Sequence, residues 1–268
     1  MRRIETVEQK QIMIKLLKYF DEICRDNNIN YSLIGGSLIG AIRHHGIIPW
    51  DDDVDVILTK ENYKKIMTVL ENESNSKYKL LNSKTCSNYY LPFPKLIDRE
   101  TYVVEPQMLK QIDEYGIFID IFCYIDIPKE EKEKIKIVRK IKLINSLLSR
   151  KKIDLKNENL KQNFLRINKN IISKIIGYRK LLKIINSTYN KMEQLNSKYL
   201  ISNWPIYPIE KEIQLKENTI EYVDVQFENM TAMIFKNYDE ILKTTFGNYM
   251  ELPPKDKRVS HGLEAYWR

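Results

Sequence analysis

From Pro49 to Val56 the chain reads Pro-Trp-Asp-Asp-Asp-Val-Asp-Val, which places four carboxylates, Asp51, Asp52, Asp53 and Asp55, within five residues. Like charges this close repel unless a cation neutralises them, and hard oxygen donors select Mg2+ or Mn2+. Alternate side chains of an extended strand share a face, so Asp53 and Asp55 point together while Val54 and Val56 enter the core. Asp51 joins that face by the same alternation as an auxiliary ligand, and Asp52 is expected to be structural. A carboxylate-bound divalent ion suits in-line phosphoryl transfer, which depends on charge neutralisation and positioning more than on covalent chemistry.

Upstream, Tyr31-Ser32-Leu33-Ile34 reads as a buried strand. Gly35-Gly36 then lets backbone approach a ligand closely, and a helix opening near Ser37 offers N–H groups to a phosphate. Gly35, Gly36 and Ser37 are therefore expected to hold donor phosphates, with Arg43 and His44 directing positive charge at them. In Ile117-Phe118-Ile119-Asp120-Ile121-Phe122 a lone carboxylate sits among apolar neighbours. A buried Asp is costly unless paired or metal-bound, whereas an isolated one on a strand can simply face solvent.

The whole run from Tyr31 to Val56 resembles the signature of the LicD family of phosphotransferases. Two further blocks agree: Tyr115 to Phe122, and Phe246-Gly247-Asn248-Tyr249-Met250-Glu251-Leu252-Pro253-Pro254-Lys255-Asp256-Lys257-Arg258-Val259-Ser260-His261. The resemblance implies an α/β (α+β) fold with a nucleotidyltransferase-like core. It also implies a CDP-alcohol donor, most simply CDP-choline, and a glycan or glycolipid acceptor such as a teichoic acid or lipopolysaccharide precursor. It makes Asp120 the third active-site acid, either a further metal ligand or the base for the acceptor hydroxyl, and makes Arg258 and His261 substrate contacts. A quaternary ammonium group would need ring faces, because it cannot be matched by hydrogen bonds. Trp50, Tyr89, Tyr90, Trp204, Tyr207 and Trp267 are the rings available for such a cage, and the sequence singles out none of them; Trp50 lies nearest the carboxylates.

The elements that must position these groups are legible as patterns. Thr6 with Gln9 forms a capping-box pattern ahead of a helix from Val7 to about Asp26. A short helix spans Leu38 to Arg43 and ends at Gly46, and Thr59 caps the next, Lys60 to Leu70. Tyr78 to Leu81, Tyr89 to Ile97, Tyr102 to Val104 and Gly116 to Cys123 read as strands of one mixed sheet flanked by helices. From Lys129 to Lys198 the pattern is helical and lysine-rich, broken at Arg150 to Glu158. Ile135, Val138, Ile141, Ile144 and Leu148 fall at helical spacing and are expected to pack against the core. Ile220 to Phe227 and Met230 to Phe235 alternate like strands. The expected division is a catalytic core over 1–128, a basic helical lobe over 129–200, and a C-terminal segment over 201–268 that completes the core and the substrate site.

The chain has 268 residues, 43% of them hydrophobic, enough to bury a sizeable core. Its three cysteines, Cys24, Cys86 and Cys123, have no metal-ligand spacing, and neither do His44, His45 and His261 as a zinc set. No apolar run reaches the ~20 residues of a membrane helix, and the first residues lack a secretory apolar stretch, so a cytoplasmic protein is expected. The net charge of +8 is uneven: Lys129 to Leu200 carries 20 basic and 6 acidic residues, +14, against −6 elsewhere. Such a segment suits the inner face of a membrane, a phosphorylated glycan, or plain solvation. Two other functions fit parts of the pattern: nucleotidyl transfer from an NTP to a small molecule, and nucleic-acid binding through the basic segment. No nucleic-acid-binding motif accompanies the latter, so nucleic acid is not an expected partner.

Overall fold

The computed structural model describes residues 1–149, 152, 160–260 and 262–268. In chain order the strands and helices are β1 (Arg3–Ile4), α1 (Thr6–Asp26), β2 (Ser32–Leu33), α2 (Gly35–Ile39), β3 (Asp55–Leu58), α3 (Lys60–Asn72), β4 (Tyr78–Leu81), β5 (Lys95–Asp98), β6 (Thr101–Val104) and β7 (Phe118–Asp126). They continue as α4 (Glu131–Leu148), α5 (Leu160–Ile176), α6 (Tyr178–Met192), β8 (Tyr199–Ser202), α7 (Ile209–Glu212), β9 (Gln214–Leu215), β10 (Tyr222–Phe227), β11 (Met230–Phe235), α8 (Tyr238–Phe246) and β12 (Glu264–Trp267).

The expected α+β class holds. A mixed seven-stranded sheet runs β2-β3-β7-β5-β4, with β8 continuing from the far half of β7 and β9 pairing β8. Only β3 and β7 run parallel among these neighbours. Nine-residue β7 is buried throughout, as its near-continuous apolar sequence requires of a central strand. Helix α1 covers the sheet with Leu16, Leu17 and Phe20, all fully buried. A second buried cluster gathers Val138, Ile141, Ile144 and Leu148 of α4 with Leu181, Leu182 and Ile185 of α6 against Ile125 and Ile201 at the β7/β8 end. Ile135 is half-buried.

Several local expectations are corrected. Strand β6 leaves the main sheet and pairs with β12, which pairs with β1, in a separate three-stranded sheet. The run expected to be strand from Tyr89 becomes one only at Lys95, because Pro92 and Pro94 lack the donors a ladder needs. Thr6 lies inside α1 rather than capping it, and Gln9 donates instead to the Asp52 carbonyl at 3.4 Å, so a tertiary bond displaces the capping box. The short helix starts earlier, at Gly35, widens into a π-turn over Gly40–His44, and stops at left-handed His45 (φ 56°) rather than at Gly46. The break expected at Arg150 to Glu158 lies outside the described residues apart from Lys152.

Candidate active site

Strand register brings the carboxylates together. Asp55 on β3 stands opposite Asp120 on β7, and Asp120 stands opposite Lys95 on β5, so three ionisable side chains lie in a row across neighbouring strands. Lys95, only 3% exposed, donates to Asp120 Oδ1 at 2.5 Å, and its Nζ lies 3.4 Å from the Phe118 ring centroid. The fully buried Val54 and Val56 confirm the alternation that turns Asp53 and Asp55 the other way.

Helix α2 is pinned to the entry of β3. The Ser37 hydroxyl accepts from the Asp55 amide at 2.9 Å, and the Ile34 amide donates to the Asp55 carbonyl at 3.1 Å. A Cβ on Gly36 would come within 2.5 Å of Asp51 Oδ2, so the missing side chain is what lets Asp51 close over the helix start. Gly35 has the left-handed backbone (φ 60°) that makes the strand-to-helix turn.

These groups line a cavity of about 360 Å³: Gly35, Gly36, Asp51, Asp53, Asp55 and Asp120, together with Phe122, Trp204, Tyr207, Glu212 and Phe246. Burial pushes the Asp55 carboxyl well above the usual carboxylate range, reinforced by Asp53, Asp120 and Asp51 and opposed by Lys95. Asp51, Asp53, Asp55 and Asp120 offer only carboxylate oxygens to the cavity, the donor type that a hard divalent cation takes. Among the described residues no group of three or more His, Cys, Asp or Glu side chains is placed to hold a metal ion as the site stands.

Other residues expected at the site are placed differently. Ser37 is buried, its hydroxyl accepts from the Asp55 amide, and it is not among the residues that line the cavity. Asp52 is buried and accepts from the Leu263 amide at 3.1 Å, the structural role expected of it. Arg43, His44, Trp50 and Arg258 gather beside the cavity rather than in its walls. The Arg43 guanidinium donates to the carbonyls of Tyr249 (2.6 Å) and Glu251 (3.0 Å), and its Nε donates to His44 Nε2 at 3.0 Å. Burial, then Arg43 and Lys10, lower the His44 pKa. Trp50 meets the His44 edge at 5.9 Å and the Arg258 guanidinium at 5.2 Å. The C-terminal segment thus folds back against the flank of the acidic loop. His261 lies outside the described residues.

Asp120 keeps both of its expected roles open, metal ligand or base, and the Lys95 ammonium is its direct partner in the cavity wall. Sequence reasoning missed Lys95, although the rule applied to Asp120, a lone charge in an apolar strand, also marks Lys95. It also missed Glu212, which looks like one exposed charge among several in Ile209-Glu210-Lys211-Glu212.

Residues 28–140 match the family profile described as "LicD/FKTN/FKRP, nucleotidyltransferase domain". The chain is 29% identical over 285 aligned positions, covering 99% of both proteins, to the "Lipopolysaccharide cholinephosphotransferase LicD" of Haemophilus influenzae. An uncharacterized protein of Rickettsia typhi is 33% identical over 84 residues, 31% of this chain and 27% of that one. The profile spans α2, the acidic loop, Lys95 and Asp120, and the likeness to the Haemophilus protein runs from end to end, so this chain is similar to LicD proteins along its whole length.

Proposed function

We propose that this protein transfers phosphocholine from CDP-choline to a sugar hydroxyl of a cell-surface glycan or glycolipid precursor and releases CMP. The carrying observation is a cavity walled by four aspartates on adjoining elements, in a chain aligned over its full length with a protein named as a cholinephosphotransferase. Asp53 and Asp55, with Asp51, would hold Mg2+ or Mn2+. Such an ion neutralises the phosphate oxygens on which charge builds during transfer. Gly35 and Gly36 leave the backbone open to the donor phosphates, and Ser37 fixes the strand that carries Asp55. Lys95 donates to Asp120 in the cavity wall, and Arg43 and Arg258 form a positive flank that draws anionic substrates toward the acidic loop.

Helix α5 supports an acceptor at an anionic membrane, on its cytoplasmic face. It is turned inside out: Asn163 and Ser173 are its buried positions, while Leu160, Phe164, Ile167, Ile171 and Ile175 are exposed in one stripe. Lys161, Arg166, Lys169 and Lys174 accompany the stripe, with no acidic residue in the helix. An apolar face with a basic border is what a peripheral membrane helix presents. No helix of the described residues is long and apolar enough to cross a membrane.

The test is nucleotide release with Mg2+ from CDP-choline, CDP-ribitol and CDP-glycerol, with and without a crude glycolipid acceptor. CMP release from CDP-choline that disappears in folded Asp53→Asn and Asp55→Asn supports the proposal. Pyrophosphate release from NTPs, or full activity in those variants, overturns it.

A further inference from the structure

The cavity has a second chemical character away from its aspartates. Strand β8 ends at Ser202, whose hydroxyl accepts from the Trp204 amide at 3.1 Å, and the chain then turns through Trp204 and Tyr207. Lys142 Nζ from α4 donates to the Tyr207 carbonyl, and the Glu212 carboxylate of α7 accepts from the Tyr207 amide. Two charged side chains from different helices therefore hold one residue of the loop. The rings are braced as well. Tyr207 packs edge-on to Phe246 with centroids 5.2 Å apart, and Trp204 packs edge-on to Phe93 at 5.0 Å. Trp204, Tyr207, Phe246 and Glu212 all line the cavity that holds the aspartates.

Glu212 is the unexplained member. It is 91% buried by accessible area, and it forms no salt bridge among the described residues. Burial pushes its carboxyl up to about 7, with the amides of Tyr207 and Ile206 and the charge of Lys142 pulling the other way. Burial, then Glu212 and the aspartates Asp55, Asp51 and Asp53, raise the Tyr207 hydroxyl pKa, and the ring lines the same cavity as all four carboxylates. A carboxylate among aromatic walls repels phosphate and calls for a cation. A cation with N–H donors would need acceptors that these rings lack, whereas a quaternary ammonium gains from ring faces and a nearby negative charge.

We infer that Trp204, Tyr207, Phe246 and Glu212 form the receptor for the quaternary ammonium headgroup of the donor, and that this receptor selects choline over neutral polyol headgroups. The inference rests on the transfer reading above but concerns selection, which can fail separately. A glycerol or ribitol headgroup would bring Glu212 no positive charge and would wet the apolar rings. Polarity along the cavity follows: phosphates toward Asp51, Asp53 and Asp55, headgroup toward Glu212.

The experiment measures affinity of the full chain for CDP-choline and CDP-glycerol by calorimetry, with CMP release followed in parallel, for wild type, Glu212→Gln and Tyr207→Leu. Glu212→Gln keeps an oxygen for the Tyr207 amide, so the loop retains its anchor. The expected result is a wild-type preference for CDP-choline that each variant reduces about tenfold, with CDP-glycerol affinity nearly unchanged. Equal loss for both donors, no loss, or lost turnover with unchanged CDP-choline affinity overturns the receptor, as does a wild type that prefers CDP-glycerol or binds neither. Preferential binding of CDP-choline without CMP release keeps the receptor and sinks the transferase reading. CMP release from CDP-choline with preference intact in both variants does the reverse.

Discussion

Glu212→Gln should stabilise the protein in a pH-dependent way. The folded pKa of Glu212 is raised from 4.5 to about 7, chiefly by burial. At about 1.4 kcal/mol per pKa unit, the fold opposes ionisation of this one group by about 3 kcal/mol. Because the folded value lies above the unfolded one, the stability contributed by protonated Glu212 is fully present below pH 4.5 and is lost as pH rises through 7. Glutamine keeps the shape and the acceptor oxygen but cannot ionise. The stability difference between variant and wild type should thus grow from near zero at pH 4.5 to about 2 kcal/mol at pH 7.5, allowing for the solvent that still reaches the carboxylate. For a chain of this length that is a Tm difference of roughly 5 °C. Thermal unfolding followed by circular dichroism at half-unit steps across this range reads it directly, since titrations common to both proteins cancel. Parallel Tm curves across the range would refute the reasoning. A variant that is more stable yet poorer at holding the choline donor would mark Glu212 as a binding group retained against the interest of the fold.

Removing Lys95 should be severe. Lys95→Met leaves Asp120 buried without its cation and is expected to cost about 3–5 kcal/mol in urea unfolding, with Lys95→Met/Asp120→Asn recovering most of it; additive losses would show that the pair is not coupled. Gly36→Ala should leave the fold within about 1 kcal/mol of wild type, because the new Cβ meets only the end of a movable side chain, yet lower turnover at least tenfold by displacing Asp51; unchanged kcat would remove Asp51 from the reaction. Sedimentation with phosphatidylglycerol vesicles should carry down wild type in low salt, and not an Ile171→Glu/Ile175→Glu variant that still turns over donor in solution. Equal partition of both proteins would mean that α5 has another partner.

Local pattern alone was enough for much of this protein. The alternation around Val54 and Val56 fixed which aspartates share a face, because side-chain direction along a strand depends only on neighbours in the chain. The apolar spacing of Val138, Ile141 and Ile144 marked a helix face for the same reason, and the stretch from Tyr31 to Val56 carried the family likeness unaided. What the pattern could not contain was register between distant segments. Lys95 and Asp120 are partners because β5 and β7 pair at one register among several that their sequences allow, and a one-residue slip would turn Lys95 to the other face. The same holds for β6, equally strand-like wherever it pairs, which joined the chain ends rather than the main sheet. Arg43 and Trp50 looked like site residues by proximity in sequence, yet the π-turn and the returning C-terminal segment set them beside the cavity, while Trp204, Tyr207 and Glu212, some 150 residues further on, entered its wall. Periodicity records a residue's own element, whereas a site is assembled from contacts between elements, and those are chosen only when the whole core packs.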